Sequence, residues 1–513
     1  MKLFHAMATV ASLTFLSRIA GFARDVLTAA FLGAGPVADA FFVALKLPNL
    51  FRRVTAEGAF SVSFVPLYTR TLEEEGEEKA TQFAGRSASI MSIGLVFFSA
   101  LFMIFMPVVI SLIAPGFQDD AVRFPLSVEL ARITFPYLFF ISLTALLGGM
   151  LNAHNRFAPF AVTPVLFNLA IIAAILIGSW MNINIGYAMA WGISISGFLQ
   201  LMFVWAFFGR YKIKFHFERP AFTPRIKKLF KLMGPGVLGA GVMHINLFAD
   251  MIIASLLPAG AISYLYYADR LNQLPLGVVG IAIGTALLPM LSKSLAAGTH
   301  ENSKNLFNRA LEYSLLLALP AAVALFIIPT ALIETLFERG EFTSEDTRVT
   351  ALVLMGYAIG LPPYVLSKTF NTAFWAKENT ATPVKISIFI TLLNIALAFT
   401  LSRIIGVAGI AFATGSVAWI QIALLAFYLR GEDYTRYDMR FIKGALKTTG
   451  ATLAMAAVLY GVDRFVSLPD MGKATKFIDL IILIGAGFCT YALVILGSGV
   501  IKAKDIKLLL KRK

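Results

Sequence analysis

What most constrains this chain is recurrence: apolar runs of about 18 or more residues return from the first dozen residues almost to the end, with short polar stretches between them. As helices, runs of that length cross the hydrocarbon core of a bilayer, about 30 Å thick, and a chain with so many of them folds as a polytopic bundle that satisfies its backbone internally. The charge content agrees, at 14% against about 25% for an ordinary soluble chain. A single cysteine, Cys489, excludes an intramolecular disulfide. His5, His154, His216, His244 and His300 lie too far apart in sequence to form a close-spaced ligand pair, so no metal site is expected.

The spans fall at roughly 8–30, 37–68, 88–114, 127–152, 160–180, 184–208, 229–257, 262–292, 308–336, 349–375, 382–402, 405–429, 443–463 and 477–500. That predicts an all-α protein of fourteen transmembrane helices with both termini on one side. The formal charge of +15 would suggest nucleic acid in a soluble protein. Here most of the Lys and Arg lie in the segments that are cytoplasmic if the N-terminus is, notably Arg210 to Lys228 and Lys502 to Lys513, so the charge is a topology signal and no nucleic acid is expected. The acidic run EEEGEE at 73–78 reads as a loop on the same side. The first apolar stretch continues through Arg18 and Arg24 without a small-residue cleavage site and reads as a retained helix.

Shifting the sequence by 225 residues sets Phe22-Ala23-Arg24-Asp25 against Leu247-Phe248-Ala249-Asp250 and Gly35 against Gly260. A shift of 219 sets Asn152 and Thr163-Pro164-Val165 against Asn371 and Thr382-Pro383-Val384. The expected organisation is two pseudo-symmetric six-helix lobes around a central cavity, 1–215 and 222–430, followed by two further helices and a basic tail over 440–513.

Basic residues inside the spans carry the functional argument, because each costs about 3 kcal/mol at mid-bilayer unless it faces protein or water. They are Arg18, Arg24, Lys46, Arg52, Arg53, Arg132, Arg270 and Lys368, and the first two helices also hold Asp25, Asp39 and Glu57. Arg18 and Asp25 are spaced by seven, as are Asp39, Lys46 and Arg53, which puts a polar stripe on each helix, with Pro48 as an expected kink in the second. Arg52, Arg53 and Glu57 lie where snorkelling explains them as well as function does, and Arg132 and Lys368 sit close to helix ends. Arg18, Arg24 and Arg270, the last beside Asp269, are harder to place as structural. Converging guanidinium groups bind phosphate, whereas a pocket for lipophilic cations would be lined with carboxylates, so an anionic substrate is expected. No phosphate loop, Gly-x-Ser-x-Gly elbow or His-Glu-x-x-His motif is present, so neither enzymatic chemistry on the substrate nor a cofactor is expected. Transport would draw on a coupling ion (Na+ or H+), the membrane potential, or consumption of substrate on the far side.

The stretches Ser17-Arg18, Gly21-Phe22-Ala23-Arg24-Asp25, Asp39-Ala40-Phe41-Phe42, Lys46-Leu47-Pro48-Asn49-Leu50, Arg52-Arg53 and Ala56-Glu57-Gly58-Ala59-Phe60-Ser61 closely resemble the MurJ (MviN) lipid II flippases of bacteria. Phe135-Pro136-Tyr137 and Tyr266-Tyr267-Ala268-Asp269-Arg270-Leu271 look like the same family. The resemblance implies the multidrug/oligosaccharidyl-lipid/polysaccharide exporter fold in the bacterial cytoplasmic (inner) membrane. It implies lipid II, the undecaprenyl-pyrophosphate-linked peptidoglycan precursor, as substrate, moved from inner to outer leaflet by alternating access. It places substrate-binding arginines at Arg18, Arg24, Arg52 and Arg270, with Asp25, Asp39, Lys46, Asn49, Arg53, Glu57 and Asp269 in support, and a cation site at Asn246, Asp250, Thr391 and Asn394. A monomer among membrane lipids is expected, open to association with cell-wall synthesis proteins. The rival readings are an ion-coupled exporter of cationic drugs, which would depend on Asp25, Asp39 or Asp250, and a non-transporting scaffold of cell-wall synthesis.

Overall fold

In the computed structural model, which describes residues 2–52, 60–465 and 473–500, every regular element is helical. By its contacts the chain divides into two compact units, Met1–Ser263 with Arg339–Phe342, and Tyr264–Glu338 with Thr343–Lys513.

The first unit contains α1 (Lys2–Leu32), α2 (Pro36–Arg52), α3 (Ser61–Ile104), α4 (Met106–Ile113), α5 (Arg123–Thr134), α6 (Tyr137–Ala153), α7 (Ala158–Trp180), α8 (Ile185–Tyr211), α9 (Pro224–Ser255) and the first turn of α10 (Ala261–Ala296). The second unit holds the rest of α10, then α11 (His300–Ile327), α12 (Pro329–Phe337), α13 (Ser344–Ala376), α14 (Ala381–Ile405), α15 (Val407–Leu429), α16 (Met439–Phe465) and α17 (Lys473–Ser498).

Ten helical stretches among the described residues are long and apolar enough to cross a membrane, and this is a multi-pass membrane protein. α1, which carries Arg18, Arg24 and Asp25 along its length, is not among these ten. Of the span expected over 37–68, α2 is described to Arg52 and α3 from Ser61, and Arg53 and Glu57 lie outside the described residues. The acidic run at 73–78 is not a loop: α3 carries it, with one break at Gly76, whose φ of 87° an L side chain rarely adopts. Phe135 and Pro136 divide the fourth span into α5 and α6, and the ninth breaks between Ile327 and Pro329.

Proline strips its helix of a donor, and hydroxyl groups fill the gap. Pro48 leaves the Ala44 carbonyl without its usual partner, and Thr134 Oγ1 on α5 donates to that oxygen at 3.1 Å. Pro164 does the same to Phe160, and Thr163 Oγ1 supplies the bond at 2.8 Å. In the second unit, glycines let α13 and α15 pack backbone to backbone, for a Cβ on Gly415 would come 2.3 Å from the Gly356 carbonyl oxygen.

Candidate functional site

Inside the first unit, α1, α2, α6, α7 and α8 surround a cavity of about 480 Å³. Its wall combines Tyr137, Phe157, Phe160 and Phe167 with a set of polar groups: Ser17, Arg18, Asn49, Arg52, Asn152, Thr163, Asn168 and Gln200. The charged lining residues among those described are the two arginines. Arg18 is exposed into this space and makes no ion pair among the described residues. Arg52, half-buried at the end of α2, donates from Nε to Asn49 Oδ1 at 3.3 Å, while Asn49 Nδ2 is held by the Leu45 carbonyl at 2.9 Å. Asn49 thereby fixes the direction in which Arg52 leaves its helix.

Arg24 lies one helical turn and a half beyond Arg18, buried at 8% exposure. Its Nη2 and Nε donate to Asp25 Oδ1 at 2.6 and 3.1 Å, and its Nη1 donates to Asn168 Oδ1 at 3.0 Å. Its guanidinium also stands 5.8 Å from the centre of the Phe167 ring. Asn168, on the α7 face that lines the cavity, returns its amide hydrogens to the carbonyls of Ser17 at 3.1 Å and Pro164 at 3.0 Å. It therefore clips α7 to α1 and orients Arg24 at once. Sequence reasoning passed over Asn168 although a signal was present: an amide in the middle of the apolar run 158–180 is expensive unless it is used. Gln200 is a second such residue, 1% exposed and donating to the Thr163 carbonyl at 3.0 Å.

Asp39 sits elsewhere. Fully buried, it accepts hydrogen bonds from Gly260 N at 2.7 Å and from Ser263 N and Oγ at 2.9 and 2.7 Å. Its carboxylate thus caps the first turn of α10, satisfying donors that a helix start leaves open and placing negative charge at the positive end of the dipole. Arg123, which no motif singles out, approaches Asp39 at 4.0 Å, donates to the Leu257 carbonyl at 3.2 Å and lies 4.5 Å from the centre of the Phe117 ring. Asp120 holds that arginine, accepting from Arg123 N at 2.8 Å, Arg123 Nε at 2.6 Å and Val122 N at 2.9 Å. Partial burial raises the Asp120 carboxyl, but these bonds and the Arg123 charge outweigh it and hold the group below the usual carboxylate range. The same region is closed by backbone contact: Glu341 N donates to the Ala30 carbonyl at 2.9 Å, and a Cβ on Gly340 would meet that oxygen at 2.0 Å.

The remaining expected residues divide between the units. Lys46 is half-buried on α2. Arg132, read as a snorkelling residue, donates to the Met103 carbonyl at 2.8 Å near the C-terminal end of α3. In the second unit, Arg270 stands 4.6 Å from the centre of the Tyr266 ring and Asp269 accepts from Gln273 Nε2, each pair one turn apart on α10. Of the expected cation site, Asn246 and Asp250 belong to the first unit and Thr391 and Asn394 to the second. Asn394 is 1% exposed and accepts from Thr414 Oγ1 at 3.3 Å, a bond between α14 and α15. Among the described residues no three His, Cys, Asp or Glu side chains gather as metal ligands.

The family model described as "Lipid II flippase MurJ" matches residues 28–472. The chain belongs to the MurJ family. A curated relative from Rhizobium meliloti, described as a probable lipid II flippase MurJ, is 38% identical over 520 residues, covering 100% of this chain and 97% of its own. The lipid II flippase MurJ of Burkholderia cenocepacia is 34% identical over 505 residues, covering 97% of both chains. Among solved structures, a lipid II flippase MurJ in an inward closed conformation superposes with a TM-score of 0.78 at 29% identity, covering 95% of this chain and 98% of that one. An inward-facing multidrug resistance transporter of the MATE family and MOP superfamily matches with a TM-score of 0.68 at 14% identity, a likeness of fold. The MurJ architecture expected from the opening residues is thus the architecture of the chain.

Proposed function

We propose that this MurJ family member flips lipid II, carrying the undecaprenyl-pyrophosphate-linked precursor from the inner to the outer leaflet of the bacterial cytoplasmic membrane by alternating access. The observation that carries this reading beyond the family is the cavity in which Arg18 and Arg52 face one polar space with no carboxylate among its described lining residues. A diphosphate is the ligand such a space suits. Each guanidinium offers charge-assisted hydrogen bonds worth about 1.5–3 kcal/mol, and two of them can meet the two phosphates. At about 480 Å³ the space has the size of a small-ligand pocket, room for a diphosphate and part of an attached sugar. The polyprenyl tail, as apolar as the bilayer, stays in lipid.

In this mechanism Arg18 and Arg52 receive the diphosphate, Arg24 is held beside them by Asp25 and Asn168, and Arg270 is a further ligand on the strength of the family resemblance. Rocking of two six-helix lobes, 1–215 and 222–430, then exposes the headgroup on the opposite side. No covalent bond is made or broken. The driving force is a coupling ion, the membrane potential or removal of the product outside; both termini lie in the cytoplasm by the distribution of Lys and Arg. A drug exporter selecting cations needs accessible carboxylates, but Asp25 is engaged by Arg24 and Asp39 by α10, which favours the anion. Depletion of the protein followed by assay of leaflet occupancy tests the function: lipid II accumulates in the inner leaflet if the proposal holds, and an unchanged distribution refutes it.

A further inference from the structure

Between α8 and α9 the chain runs as an extended strap over residues 213–223, fastened to α3. Thr81 Oγ1 donates to the Lys214 carbonyl at 3.4 Å and Ser89 Oγ to the Glu218 carbonyl at 2.6 Å. Between them Gly85 meets the His216 carbonyl so closely that a Cβ there would stand 2.3 Å away. The spacing explains the fit: four residues of helix rise about 6 Å and two residues of extended chain about 6.6 Å, so positions 81, 85 and 89 match carbonyls 214, 216 and 218. A strap held in this register keeps its side chains in fixed alternation. Ile213 and Phe215 turn to the apolar cluster that includes Phe208, while Lys214 and His216 stay exposed.

This arrangement leaves a cleft of about 390 Å³ whose walls include Trp205, Phe208 and Phe215 and whose polar lining includes Lys214 and His216. Trp205 is 41% exposed and meets the Phe215 ring edge-on at 5.5 Å. His216 is paired with Glu218 at 2.8 Å, whereas Lys214 makes no ion pair among the described residues. Around the cleft, residues 210–231 carry Arg210, Lys212, Lys214, Arg219, Arg225, Lys227, Lys228 and Lys231 against the single acid Glu218. Exposed Phe217, Phe222 and Phe230 are interleaved with them.

We infer that this cleft binds an anionic glycerophospholipid, its phosphate on Lys214 and His216 and its glycerol and upper acyl chain against Trp205, Phe208 and Phe215. Charge complementarity selects the occupant: a basic cluster at the end of a membrane-spanning helix attracts anionic headgroups, and an amphipathic aromatic such as Trp favours the depth at which the headgroup meets the chains. Arg225 is taken up by Glu75 of the acidic run on α3, and a zwitterionic lipid satisfies the aromatic wall but gains little from Lys214 and the other cations of the strap. The inference concerns a site apart from the arginine-lined cavity and is tested without transport.

The experiment reconstitutes the full chain in phosphatidylcholine vesicles and adds brominated phosphatidylglycerol or brominated phosphatidylcholine, taking the quenching lost in Trp205→Phe as the share due to Trp205. Phosphatidylglycerol is expected to reach half-quenching of that share at a mole fraction about fivefold lower than phosphatidylcholine, the worth of one basic contact near the surface. Lys214→Glu is expected to abolish the preference and Lys214→Arg to keep it, with Lys214→Gln as the milder variant should charge reversal impair folding. Equal quenching by the two lipids in the wild type, or a phosphatidylglycerol preference that survives Lys214→Glu or Lys214→Gln, would overturn the inference.

Discussion

Replacing Asp39 by Asn changes two atoms' chemistry and almost no volume, at a carboxylate with no exposed surface. One amide oxygen can keep the bonds from Ser263 N and Oγ, at 2.9 and 2.7 Å, but the NH2 group then faces Gly260 N, the donor now 2.7 Å from Oδ2. The variant loses a charge-assisted bond worth about 1.5–3 kcal/mol and leaves a buried backbone donor unpaired at about 1–3 kcal/mol. The dipole of α10 also loses its counter-charge, while Arg123 keeps Asp120. Allowing for partial relaxation, the expected destabilisation is about 3 kcal/mol, a shift of roughly a hundredfold in the unfolding equilibrium. Titration of the purified protein from dodecyl maltoside into mixed micelles with dodecyl sulfate, followed by far-ultraviolet circular dichroism, measures it. Ser263→Ala alone should cost about 1 kcal/mol, and the double variant less than the sum of the two, because the Oγ bond that the amide retains is no longer charge-assisted. A cost for Asp39→Asn below about 0.5 kcal/mol, or strict additivity with Ser263→Ala, would refute the capping role.

Three further outcomes follow from the same contacts. Asn168→Leu removes the Nη1 partner of Arg24 and the bonds to the Ser17 and Pro164 carbonyls, and should lower stability by about 1–3 kcal/mol in the same titration. Gly340→Ala adds a Cβ that would meet the Ala30 carbonyl oxygen at 2.0 Å, at a φ of 60°, so the contact with α1 must open; cysteine pairs placed at Ala30 and Glu341 should crosslink far more slowly in that variant. The Asp120 carboxyl has a lowered folded pKa, so its contribution is fully present above its unfolded value near 3.9 and is lost as pH falls through the folded value. The stability difference between wild type and Asp120→Ala should therefore be about 1 kcal/mol at pH 6, the ordinary worth of a helix cap, and shrink as the pH is taken below the unfolded value.

Much of this was legible before any coordinates, for different reasons at different places. Hydrophobic length fixed the all-helical class, and the cost of charge in lipid drew attention to Arg18, Arg24 and Arg270, while Arg52 entered through the family resemblance; Arg18 and Arg52 line the cavity and Arg24 adjoins it through Asn168. The role of Asp39 was hidden because its partners lie 221 and 224 residues away and are mostly backbone amides, which no side-chain pattern announces. Arg123 was hidden for a related reason: it sits at a helix start beyond the apolar runs, where basic residues are unremarkable. Heptad spacing put Arg18 and Asp25 on one face, yet one is exposed to the cavity and the other is buried under Arg24, since pairing with a neighbour overrides the ideal helical wheel. Asn168 and Gln200 were readable in principle, and attention to charged residues alone passed them by.

If arginines bind the diphosphate of the transported lipid, purified protein in vesicles flips a fluorescent lipid II analogue at a rate that depends on them. Arg18→Ala and Arg52→Ala, each verified as folded and inserted, should slow flipping at least tenfold, the effect of losing about 1.5 kcal/mol of diphosphate binding. Lysine at the same positions should restore part of the rate, since it keeps the charge but not the planar fork. Wild-type flipping rates in the alanine variants would contradict the account.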